Sequence, residues 1–110
     1  MQRIVTLTER KFRETARRRD AVAALVPVLA EYARTHGGRF LLFGSAARGT
    51  MKYDSDVDLL MDFPAEALNE AWTFAEEACW NLGLEPDLLP YGGCKPRFLD
   101  HIAAETKVLG

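Results

Sequence analysis

The sequence predicts a small α/β (α+β) domain, a mixed β-sheet of three or more strands with helices packed on it. Three observations carry this reading. Helical patterning fills the first third of the chain, and an apolar run with a period of two lies in the middle. A second helical stripe then separates that run from another short apolar segment. The resulting order is helix, strand, strand, helix, strand, helix.

Thr6 and Glu9 have the spacing of a capping box, and helical patterning continues from there to a stop at Gly37-Gly38. Val22, Leu25, Val26, Leu29 and Ala33 recur on one face and mark it as buried. Pro27 falls inside this run, so a kink or two consecutive helices is expected. Arg39 to Phe43 is a short apolar strand ended by Gly44. Between Asp56 and Phe63, Val57, Leu59, Met61 and Phe63 face one side. Asp56, Asp58, Leu60 and Asp62 face the other, as in a strand. Pro64 opens a helix with a stripe of Leu68, Ala71, Trp72, Ala75, Ala78, Cys79 and Leu82; Phe74 and Trp80 lie off it and read as ordinary exposed aromatics. Leu84 to Leu89 is the third strand, and Pro86 within it points to a sheet edge or an irregular strand. Pro96 to roughly Thr106 reads as a closing helix after the Tyr91-Gly92-Gly93 loop.

With 110 residues the chain is read as one domain, helical over 1–36 and built on the sheet over 39–110. A composition 48% hydrophobic and 27% charged argues against disorder and membrane spanning. The N-terminus lacks the apolar block of a signal peptide, and Cys79 and Cys94 make neither a CxxC pair nor a disulfide framework. A reduced, cytoplasmic protein is expected. Net charge is −2, yet Arg3, Arg10, Lys11, Arg13, Arg17, Arg18 and Arg19 are half of the 14 basic residues. They read as a solvated helix face rather than a nucleic-acid patch, with a docking face as a further reading.

The stretch FGSAARGTMKYDSDVDLL, Phe43 to Leu60, holds the chemistry. Asp54, Asp56 and Asp58 crowd like charges beside apolar residues, a costly arrangement that a cation would compensate. A P-loop is excluded because Thr50 and Met51 follow Gly49; an EF-hand fails at Leu59 and Ala65. Serine is not in a GxSxG elbow, and His36 and His101 have no zinc-spaced partners. What survives is specific. Gly44 lets the backbone approach a ligand, and Ser45 offers a hydroxyl and an amide. Asp56 and Asp58 project from one strand face roughly 7 Å apart. Carboxylates so placed suit Mg²⁺, and two ions ~3.5–4 Å apart clamp an in-line phosphoryl displacement. A third carboxylate from a neighbouring strand would complete the set: Asp87, with Glu85 in reserve. Arg48 either contacts phosphate or pairs with Asp54 and caps the short helix.

Gly44-Ser45, Ala47-Arg48-Gly49 and Ser55-Asp56-Val57-Asp58-Leu59 resemble the signature of the DNA polymerase β-type nucleotidyltransferase superfamily, including the ten residues between Ser45 and Asp56. The long N-terminal helix, small size and strand with Asp87 resemble its minimal nucleotidyltransferases (MNT). The resemblance, from about Val22 onward, implies the polymerase β-like fold, catalytic and metal-binding roles for Asp56, Asp58 and Asp87, and nucleotide binding by Gly44, Ser45, Arg48 and Ser55. It also implies transfer of a nucleoside monophosphate, AMP from ATP, to a hydroxyl, with two Mg²⁺ ions. The acceptor would then be positioned by another chain, in a homo-oligomer or a partner. Minimal members often pair with a helical HEPN toxin in toxin–antitoxin systems. One expectation is therefore an enzyme modifying a partner protein. The alternative is an antitoxin that masks a HEPN ribonuclease by contact alone. Nucleic-acid modification ranks behind both.

Overall fold

The computed structural model describes residues 6–110, which leaves Arg3 outside it. Helix α1 spans Leu7–His36, with Thr6 Oγ1 accepting the Glu9 N–H at 3.1 Å and Gly37, at φ 71°, ending it. It runs unbroken through Pro27, so the expected division into two helices is absent. Pro27 is exposed while Leu25 and Leu29 are fully buried. The ladder bond that proline removes thus faces solvent, and packing of the opposite face holds the helix together.

Strands β1 (Arg39–Phe43) and β2 (Val57–Asp62) are antiparallel and flank the one-turn helix α2 (Gly44–Arg48). Helix α3 (Ala65–Asn81) then crosses over to β3 (Pro86–Pro90), which lies parallel to β2. Helix α4 (Pro96–Ile102) leads to β4 (Lys107–Leu109), antiparallel to β1. The order β3-β2-β1-β4 makes a mixed four-stranded sheet with β3 at an edge, where Pro86 costs no ladder bond on the open side. Sequence patterning missed β4, because three residues are too few to show a period of two. The closing helix is correspondingly short, ending at Ile102 rather than Thr106.

One face of the sheet is apolar except at exposed Lys107, the register partner of Leu42. Val57, Leu59, Met61, Phe40 and Leu42 pack under Leu25, Leu29 and Ala33 of α1 and Ala71, Ala75 and Cys79 of α3. The other face holds a smaller cluster, Leu41, Phe43, Leu60 and Ile102, sealed by Phe98 and Leu99. Trp80 is exposed as expected, but Phe74 is not isolated. It stacks on Tyr32 at 4.0 Å, and Tyr32 stacks on His36 at 3.8 Å.

The basic stretch of α1 departs from the reading as a solvated face. Arg17 donates to the carbonyls of Leu82 and Gly83, Arg18 to Ser55 and Arg19 to Met51. These arginines tie α1 to the loops that lead into β2 and β3.

Candidate functional site

Strand β1 delivers the chain to Gly44, whose φ of 72° lies where side-chain-bearing residues are strained. A Cβ there would also collide with Asp58 Oδ2. The missing side chain therefore lets the Asp58 carboxylate rest on the Gly44 backbone. Helix α2 follows and is closed by Gly49, at φ 75°, whose N–H bonds the Ser45 carbonyl. Ser45 is thereby held, half-buried, in the first turn.

Asp58 lies opposite Phe43 of β1 and, on the other side, opposite Asp87 of β3. Register partners in neighbouring strands sit about 4.8 Å apart and point to the same face, so the two carboxyls are adjacent. Burial pushes Asp58 up to about 6; the charge of Asp87 and a hydrogen bond to it, and then the charge of Asp56, act in the same direction. Arg48 alone opposes them. Asp56, Asp58 and Asp87 thus form one acidic group with little internal compensation. Asp54 stands apart, exposed in the preceding turn.

Glu85 does not join the three. Its carboxylate is 3.7 Å from the Arg18 guanidinium and largely exposed. Arg48 pairs with Glu105 at 2.5 Å rather than with Asp54. Glu105 escaped notice in the sequence because β4, itself illegible there, brings it alongside α2. The Ser55 hydroxyl accepts the Lys52 N–H at 2.8 Å and so closes the turn before β2. Arg18 was also overlooked. It is the buried charged residue among the described residues, and a buried arginine is costly unless its donors are used.

Three carboxylates whose mutual repulsion a divalent cation would relieve, all with hard oxygen donors, fit Mg²⁺. Among the described residues no group of three or more His, Cys, Asp or Glu side chains is placed to hold a metal ion. That accords with an ion bound by few protein ligands together with substrate phosphates.

The profile of the nucleotidyltransferase domain family matches residues 22–109, from the second half of α1 to β4. A solved structure provisionally designated a minimal nucleotidyltransferase is similar at TM-score 0.57 and 29% identity, over 82% of this chain and 87% of that one. A toxin–antitoxin crystal structure with AMP-PNP shares the fold at TM-score 0.53 and 19% identity, over 84% and 72% of the respective chains. No curated protein matches the sequence. With its polymerase β-like sheet and the acidic group beside Gly44, this chain belongs to the nucleotidyltransferase domain family, among the minimal members.

Proposed function

We propose that this domain is an Mg²⁺-dependent nucleotidyltransferase that moves AMP from ATP to a hydroxyl of a partner protein. Its role would be that of an antitoxin acting on a small helical HEPN-type toxin. One observation carries the chemistry: Asp56, Asp58 and Asp87 meet beside Gly44 and Ser45 with no basic residue of their own except Arg48. A purely structural surface has no reason to concentrate charge in this way. The likeness to a toxin–antitoxin structure with AMP-PNP supports both the nucleotide and the setting.

Asp56 and Asp58 would hold the ion that accompanies the triphosphate, and Asp87 would join them at the second. When bound, these ions supply the positive charge that neutralises the phosphates of an in-line displacement. Gly44 leaves room for the Asp58 carboxylate against its backbone, and Ser45 would orient the phosphates. The acceptor oxygen forms a bond to the α-phosphorus as the bond to the bridging oxygen breaks. Pyrophosphate leaves with that electron pair, and the acceptor's proton passes to Asp87.

Calorimetry with ATP in the presence and absence of Mg²⁺ tests the first half of this reading. Binding should require the metal; failure to bind any triphosphate, alone or with the partner present, would sink it. The acceptor is tested by mass spectrometry of the partner after incubation with Mg-ATP, where a gain of one or more nucleotidyl units is expected. If Asp56→Asn and Asp58→Asn still neutralise the partner without a mass gain, the domain works by contact alone.

A further inference from the structure

We propose that Arg18 is a positioning residue for the transfer step. It would hold Ser55, and with it Asp56, in place beside the start of β3, the strand that carries Asp87. This rests on the nucleotidyltransferase reading above. Each arm of its guanidinium is used. Nε donates to Glu14 at 2.9 Å, Nη1 donates to the Ser55 carbonyl at 2.8 Å, and Nη2 lies 3.7 Å from the Glu85 carboxylate. Ser55 immediately precedes Asp56, and Glu85 stands two residues before Asp87. One planar group on α1 therefore spans the N-terminal ends of both acid-bearing segments.

The sheet alone does not fix this spacing. Asp56 lies outside β2, so no ladder bond holds it. Strand β3 is an edge, paired to β2 on one side only. The first cross-link between the two segments is Val57 N–H to the Glu85 carbonyl at 2.8 Å, directly beneath the guanidinium. Lysine would deliver a single point charge there and could not keep all three directions at once. A displacement of about 1 Å far from the chemistry can cost on the order of 10²-fold in rate.

The test compares Arg18→Lys and Arg18→Met with Arg34→Met, a change at an exposed ion pair elsewhere on α1. The measurements are kcat and KM for transfer, calorimetric Mg-ATP affinity, and hydrogen exchange of the Val57 amide. Folded Arg18 variants should lose about 10²-fold in kcat, with a smaller loss of Mg-ATP affinity, because Asp56 loses its anchor while Asp58 stays in the ladder. Exchange at Val57 should quicken, and a low concentration of guanidinium ion should restore part of the kcat of Arg18→Met. Arg34→Met should change none of these. Folded Arg18 variants with unchanged kcat and unchanged Val57 exchange would overturn the proposal. Should the Arg18 variants not fold, Glu14→Gln decides. It frees the Arg18 Nε anchor together with the Glu14 pair of Arg17 and should lower kcat several-fold; an unchanged kcat overturns the role. If the unsubstituted protein neither binds nor transfers nucleotide, the functional reading fails, and Val57 exchange still reports whether Arg18 joins the two segments.

Discussion

Strand β2 presents the same residue type at both ends of one face, and the two ends differ in what surrounds it. Asp62 lies opposite Arg39 of β1 and is bound by its Nε at 2.6 Å. Asp58, four residues earlier, lies opposite Phe43 and Asp87, and its pKa is pushed up to about 6 by burial and by the neighbouring acids. An aspartate that serves the fold brings its own cation. Asp58 has no such partner on its own strand pair, and under the proposed function a metal ion would balance it.

The comparison can be broken by neutralising each end in turn. Asp58→Asn should lower transfer by roughly 10³-fold or more, since it removes an oxygen ligand and leaves the triphosphate poorly neutralised. The same change should raise the melting temperature of the metal-free protein, by the several degrees that roughly 1 kcal/mol gives in a domain of this size. Asp62→Asn should do the reverse: transfer stays within two-fold, and stability drops by no more than about 1 kcal/mol for an ion pair this exposed. If the two variants behave alike in both assays, the distinction between the ends is lost.

Asp87→Asn should lower transfer by roughly 10²-fold, the usual scale for a lost general base, with Mg-ATP affinity within a few-fold. Glu85→Gln is the matched comparison: it loosens only the 3.7 Å contact with Arg18 and should lower transfer several-fold at most. Transfer that survives the first and fails with the second would move the third acid two residues upstream. A smaller effect is expected at Glu105. Glu105→Gln frees Arg48 for the triphosphate, so Mg-ATP binding should tighten about three-fold, on the scale of a surface ion pair. Unchanged or weaker binding would show that the pair positions Arg48 rather than competing for it.

The smallest effect concerns pH. A hydrogen bond from Arg17, then one from Arg18, lowers the Glu14 pKa from 4.5 to about 2, against the opposing effect of burial. A depressed carboxyl pKa stabilises the folded state above the unfolded value, and the gain is lost as pH falls through the folded value. The melting temperature of the wild type should exceed that of Glu14→Gln by a constant margin above about pH 5, and the margin should vanish toward pH 2. A margin that persists at pH 2 would show that the carboxylate charge is not what holds Arg17 and Arg18.

Legibility in the sequence followed the range of each interaction. Every element long enough to repeat its own period could be read, including the alternation of β2 and the stripe of α3. The acid group was readable because Asp56 and Asp58 are two residues apart and because Asp87 lies in a neighbouring apolar segment, although Pro86 pointed equally to an edge or an irregular strand there. Three features were hidden. β4 is too short for a pattern, Glu105 depends on β4, and the work of Arg17, Arg18 and Arg19 is aimed at carbonyls 32 to 66 residues away. Backbone carbonyls have no residue identity, so an arginine that serves them looks like one that serves water. Pro27 was misjudged for a related reason. Its penalty is local, while the burial that outweighs it comes from the sheet and α3.

Pro86 and Pro90 bound β3 at both ends. Neither can donate a backbone hydrogen bond, and Asp87 and Leu89 turn their N–H groups toward β2, so the open edge of the strand that carries Asp87 offers only the Leu88 N–H to an incoming chain. Extension of the sheet by a strand from another molecule is thereby discouraged, which protects the protein from edge-to-edge aggregation. The same property constrains recognition. Under the proposed function, an acceptor would not reach Asp87 by annealing along the edge and would come in over the face of the sheet.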